Sequence, residues 1–94
     1  MSIKTGCAAI AAAGALLAAA TAAQAADPGF CRNYATAALR QVSVARSIPR
    51  CAMGAVGARW SPRFEVHFNW CLHAPYAAAG RERDARTAML RACR

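Results

Sequence analysis

After Lys4 the chain has no lysine, and it has only four acidic residues, Asp27, Glu65, Glu82 and Asp84. A hydrolytic site needs a nucleophile, a base and an orienting acid in contact. The acids stand mostly at helix starts. The serines beyond the first 25 residues, Ser43, Ser47 and Ser61, read as a polar helix stripe and a cap. Catalysis is therefore not expected. No Cys-x-x-Cys pair occurs, which removes the common zinc spacing. Gly54 and Gly57 are not followed by the Lys-Ser/Thr of a phosphate loop. No run alternates in hydrophobicity as a strand would, and no internal repeat is present.

What is present begins with an export signal. Lys4 supplies a short positive region, residues 7–20 are an apolar run of Ala, Leu and Ile, and Ala23-Gln24-Ala25 matches a small-x-small cleavage site. The competing reading is a membrane anchor, but the run is short and mostly Ala. Cys7 lacks the preceding residues of a lipoprotein site and leaves with the signal. The expectation is a signal peptide over residues 1–25 and one small domain over residues 26–94, exported to the periplasm or beyond. The mature part carries no transmembrane segment.

That domain holds Cys31, Cys51, Cys71 and Cys93. An even count in a short exported chain reads as two disulfides. A domain this small buries only about 60% of its unfolded surface, so staples are expected.

The periodicity is helical. Asp27-Pro28 pairs a capping side chain with proline at the first position. Cys31, Tyr34, Ala35, Ala38, Gln41, Val42 and Ala45 then share one face, and Ile48-Pro49 ends the helix. Residues 50–59 read as a loop tied down by Cys51. Ser61-Pro62 repeats the start chemistry. It leads into a second helix with Phe64, His67, Phe68, Cys71 and Leu72 on its apolar face, flanked by Trp70 and preceded by Trp60. That helix stops near Pro75, and residues 76–80 read as a short connection or a helical turn of their own. A third begins around Arg81 with Ala85, Ala88, Met89, Ala92 and Cys93 on one face and Glu82–Arg86 as a favourable i, i+4 pair.

These features predict an all-α, three-helix, up-down-up domain. Short connections make successive helices antiparallel. Cys31 and Cys71 then meet at one end and Cys51 and Cys93 at the other, because a fifteen-residue helix separates its ends by about 22 Å and a disulfide tolerates roughly 7 Å between Cα atoms. Tyr34, Gln41, Trp60, Phe64, His67, Phe68 and Trp70 are the expected structural core, with Gln41 or Tyr34 as the hydrogen-bond partner of His67.

The arrangement Cys31-Arg-Asn-Tyr34-Ala35, Ala38, Gln41, Cys51, Trp60, His67-Phe-Asn-Trp70-Cys71 and terminal Cys93 resembles a group of small uncharacterised secreted proteobacterial domains. The likeness spans nearly all of the mature chain, and its most specific piece is His-aromatic-x-Trp-Cys. It implies the helical fold and the export and no chemistry. Arg50 stands where the group often has Gly.

Eleven arginines and Lys4 against four acids make the chain strongly basic, with a formal net charge of +8. Such a balance suits an anionic envelope component or an acidic protein, with Arg32, Arg40, Arg83 and Arg91 as candidate contacts. No specific nucleic-acid recognition and no cofactor is expected. Binding through exposed charges should fade between low and physiological salt, where screening acts over about 8–10 Å. The leading expectation is thus an exported, non-enzymatic binding module. One alternative is a periplasmic metal-binding protein using His67 with His73 or Met53, although His67 is expected to be structural. Another is a secreted cationic toxin-like or antimicrobial peptide.

Overall fold

The computed structural model describes residues 24–94. Most of the expected signal peptide, residues 1–23, lies outside the described residues. Among the described residues there are four α-helices: α1 Pro28–Ser47, α2 Pro49–Gly54, α3 Phe64–Leu72 and α4 Tyr76–Cys93, with a 3-10 turn at Ala58–Trp60. Among the described residues there is no strand, only one isolated bridge between Ala25 and Pro75. No described helix is long and apolar enough to cross a membrane.

Helix α1 starts as its sequence requires. The Asp27 carboxylate accepts the Phe30 amide at 2.8 Å, and Pro28 occupies the first turn. Tyr76 donates its hydroxyl to the same carboxylate at 2.7 Å, tying the start of α4 to the start of α1. These bonds hold the Asp27 carboxyl below its ordinary range, the Phe30 amide contributing most and Tyr76 next. Cys31, Tyr34, Ala35, Ala38, Val42 and Ala45 form the buried stripe. Small Ala side chains let α3 and α4 pack closely on it. Ile48 is extended, as a residue before proline must be.

Three element boundaries differ from the sequence expectation. Residues 50–59 are not simply a loop, because Pro49 starts the short helix α2 and places Cys51 in its buried interior. Helix α3 begins at Phe64, three residues after the expected Ser61 cap, with Arg63 at the cap position and no side-chain cap bond. Ser61 stays extended ahead of Pro62 and closes the 3-10 turn. Its hydroxyl accepts only the Arg63 amide, at 3.1 Å. Helix α4 begins at Tyr76, so the expected connection over residues 76–80 is helical. The run Tyr-Ala-Ala-Ala behind Pro75 has strong helix propensity, and one glycine does not outweigh it.

That glycine, Gly80, is helical without a positive φ, and a Cβ there would meet only the end of the Arg83 side chain at 3.9 Å. Gly80→Ala is expected to stabilise the domain by about 0.5–1 kcal/mol, through the lower entropy of the unfolded chain. A urea midpoint no higher than that of the parent would contradict this.

The core is split in two, and each half surrounds one disulfide. Cys31 is bonded to Cys71 with Cα atoms 5.5 Å apart, and Cys51 to Cys93 with Cα atoms 5.0 Å apart. Around the first bridge pack Ala26, Tyr34 and Ala79, with Phe30, Phe68 and Leu72. Around the second pack Val42, Ala45, Trp60 and Leu90, with Ile48 and Met89. Burial of each large aliphatic side chain such as Val42 or Leu90 contributes about 1.5–3 kcal/mol. Ala26 is buried, and its amide donates to the Ala74 carbonyl at 2.9 Å.

The inward face of α4 is not the expected one. Ala79, Arg86 and Leu90 are its buried residues, whereas Ala88 and Ala92 are exposed and Ala85, Met89 and Cys93 are half-buried. The helix is turned so that an arginine enters the interior. Phe64 and Trp70, expected in the core, are exposed at 36% and 42% of their surface. Phe64 stacks on half-buried Phe68 with ring centroids 5.6 Å apart, so the pair forms an outer flank of α3.

Candidate functional site

Between the two core clusters runs a polar layer, and Arg86 is its centre. Along α1 the order is Tyr34, Gln41, Val42; along α4 it is Ala79, Arg86, Leu90. Only 1% of Arg86 is exposed. Its Nε donates to Gln41 Oε1 at 2.7 Å and its Nη1 to the Arg59 carbonyl at 3.3 Å. The guanidinium carbon lies 5.2 Å from the centre of the Tyr34 ring, a cation–π distance. Nη2 is buried and has no hydrogen-bond partner.

Gln41 is held so that its oxygen faces the arginine. Its Nε2 donates to Thr87 Oγ1 at 3.0 Å and to the Arg83 carbonyl at 3.2 Å. With both nitrogen bonds going to α4, the amide has one orientation that satisfies every group. Gln41 therefore serves Arg86, not His67 as the sequence suggested.

His67 is buried on α3 and donates from Nε2 to the Ser61 carbonyl at 2.7 Å. This bond accounts for the late start of the helix. A helix capped by Ser61 would give that carbonyl to a backbone amide in the first turn, whereas here the imidazole takes it. Burial pushes the His67 pKa down, the Arg86 charge adds to this, and the Ser61 bond opposes it. The unfolded chain therefore binds more protons below the ordinary histidine value near 6.5, so the His67 contribution is complete above about pH 6.5 and declines as pH falls. The carboxylates with shifted pKa, Asp27, Glu65 and Glu82, all move down. Their titration then lies below the histidine window. Denaturation midpoints measured between about pH 7.5 and pH 5 should fall for the parent and flatten in His67→Gln. Equal slopes would show that His67 does not titrate across unfolding.

Glu82 does not pair with Arg86 despite the i, i+4 spacing. It makes a two-point ion pair with Arg59, at 2.8 and 2.9 Å. That pair holds the Glu82 carboxyl below its usual range, with the Arg59 hydrogen bond as the main cause. Among the described residues no carboxylate stands within ion-pair distance of Arg86.

Arg86, Arg59, Glu82, His67, Tyr34 and Trp70 line a partly open cavity of about 120 Å³. Tyr34 and Trp70 pack on each other there, with ring centroids 5.7 Å apart and planes tilted by 35°. The lining thus combines two guanidinium groups, one carboxylate, a depressed-pKa histidine and two aromatic side chains.

Of the sequence candidates, Tyr34, Gln41, His67 and Trp70 gather at this place. Trp60 is buried in the second core cluster, and Phe64 and Phe68 lie on the flank of α3. Arg32, Arg40, Arg83 and Arg91 are exposed and none of them lines the cavity. Arg83 makes only a loose contact with Asp84 at 3.8 Å. Arg86 and Arg59 were not singled out by sequence. A basic residue four positions after an acidic one on a helix looks like a surface pair, and nothing local distinguishes the exception.

The second histidine, His73, bonds the Asn69 carbonyl at 2.9 Å, and Met53 is exposed in α2. No group of three His, Cys, Asp or Glu able to hold a metal occurs among the described residues. No family model matches the chain, and neither a curated protein nor a solved structure gives a match.

Proposed function

We propose that the chain is an exported, non-enzymatic binding module whose partner or ligand presents an anion to the Arg86 pocket. One observation carries this. Arg86, a buried guanidinium with one unpartnered nitrogen, lies beside a cavity where two guanidinium groups, Arg86 and Arg59, stand against the single Glu82 carboxylate. Burying a charge without a counter-charge costs several kcal/mol, and an anion in the cavity removes that cost. The exposed arginines add a general attraction that raises the encounter rate without selecting a ligand. Export is supported by the leader pattern, the likeness to small secreted domains, and the two disulfides. The reading includes an up-down-up course of α1, α3 and α4, which the bridges at opposite ends of α1 support.

The test is a thermal-shift titration of the mature protein with chloride, acetate and phosphate at fixed ionic strength. A saturating rise is expected for at least one anion, about 1.4 kcal/mol of stabilisation at ten times Kd. It should be absent in Arg86→Met. A flat response to all three anions would end this reading.

A further inference from the structure

We propose that the loop after α2 docks on an anionic lipid surface, burying Met53 and Val56 at the level of the headgroups while neighbouring arginines meet the lipid phosphates. This surface is separate from the Arg86 pocket and does not rest on it.

The apolar part is local. Residues 52–58 read Ala-Met-Gly-Ala-Val-Gly-Ala, seven in a row without a polar side chain, and all but Ala55 are exposed. Met53 and Val56 are 83% and 73% exposed, against 42% for Trp70, the next large apolar side chain among the described residues. The fold holds them out. Cys51 is buried in its bridge to Cys93, and Ala55 packs against the second core cluster. Trp60 is buried beyond the loop, and Gly57, with φ at 88°, makes the turn toward it. The loop is thus pinned before, within and after its exposed part. Exposed apolar side chains grouped in this way mark an interaction surface.

Charge names the occupant. Arg50 stands three residues before Met53 in α2, so the two share an outward face. Arg46 lies in the last turn of α1, and Arg91 lies two residues before Cys93, the partner of Cys51. All three are exposed, and none is in an ion pair among the described residues. The carboxylates stand back from this end or are already paired. Asp27 is at the opposite end of α1, and Glu82 and Glu65 are held by Arg59 and Arg63. Asp84 lies seven residues before Arg91, about 10 Å along α4. A second copy of the chain would bring these cations together, and like charges oppose that. A Cβ at Gly57 would meet nothing within 4 Å, so the loop tip projects. A lipid interface admits a projecting apolar side chain without a preformed socket, and its phosphates accept guanidinium donors.

The experiment is co-sedimentation of the mature, disulfide-bonded protein with vesicles of phosphatidylcholine alone, or with phosphatidylglycerol as about one lipid in three. Partitioning should be at least about tenfold stronger on the anionic vesicles, since each arginine near the surface contributes roughly fivefold. Met53→Ser with Val56→Ser should weaken it about tenfold. Both positions are exposed, so the fold is kept. Arg50→Gln should weaken it about fivefold. Phe64→Ser, on the exposed flank of α3, should leave it unchanged.

Equal partitioning of the parent and the Met53→Ser, Val56→Ser variant would show attraction by charge alone and overturn the proposal. Equal binding to both vesicles, or binding to neither, would overturn it as well. Capture by polyglutamate in place of the anionic vesicles would assign the surface to an acidic protein and overturn the lipid. The thermal-shift titration reads Arg86, which none of these variants alters, so failure of one reading leaves the other standing.

Discussion

Reduction of the two disulfides unfolds the domain at 37 °C. The bridges join residues 40 and 42 positions apart. Each closes a loop whose entropy is worth about 4 kcal/mol in the chain-entropy model, and removing one native bridge from a small secreted domain typically costs 2–5 kcal/mol. A domain of roughly 70 residues has a total stability of about 3–10 kcal/mol, so losing both bridges removes most or all of it. The consequences differ by bridge. Each core cluster has one disulfide at its centre, so Cys31→Ser with Cys71→Ser should loosen the Tyr34 end and the start of α1. Cys51→Ser with Cys93→Ser should release α2 and the end of α4. Circular dichroism melts with and without reductant measure the first effect, and amide exchange of the two paired variants maps the second. A reduced protein that still melts cooperatively above 50 °C would show that the cores suffice without the bridges.

Gln41→Leu destabilises the domain by about 2–3 kcal/mol, and adding Arg86→Met recovers the loss. The single change removes the acceptor of the Arg86 Nε bond and leaves a buried guanidinium with one weak carbonyl contact. Hydrogen bonds to charged groups contribute about 1.5–3 kcal/mol, and a stranded buried charge costs still more. Methionine fills much of the arginine volume with no charge to satisfy. Replacing buried ionic groups with apolar residues is often neutral or stabilising by about 1–4 kcal/mol. The opposite signs of the two steps are the diagnostic result, read from denaturant midpoints of the four proteins in a double-mutant cycle. Additive losses would mean that Arg86 is solvated and does not depend on Gln41. A pocket that is costly to keep in the empty protein agrees with the proposed anion site, since bound ligand returns the stability as binding energy.

The residues that specify helix α1 are all local. The Asp27-Pro28 start, the stripe from Cys31 to Ala45 and the stop at Ile48-Pro49 each act within a few residues, and each is legible in the chain. The cysteine pairing follows from the same kind of reasoning, because helix length and short connections leave few cysteines able to meet. At two of the three boundaries that moved, a side chain from further along the chain had claimed a group near the helix start. His67 took the carbonyl that a Ser61 cap would have turned into the first helical bond. Tyr76 bonded to Asp27 across 49 residues and anchored α4 earlier than Arg81.

The site was the least legible part. Gln41, Tyr34, His67 and Trp70 stood out as unusual residues on apolar faces, and the pattern said nothing of what they surround. Arg86 looked like one half of a solvated pair with Glu82. Its fate rested on Arg59, 27 residues earlier, which supplies a carbonyl to Arg86 and a guanidinium to Glu82. Sequence alone determined helical class, two disulfides and strong positive charge, because composition, capping and periodicity act within one turn or one loop. Only the packing of α1, α4 and the 3-10 turn against one another decided which arginine is buried. Burial of a charge depends on partners brought from three separate segments, and no single segment encodes that meeting.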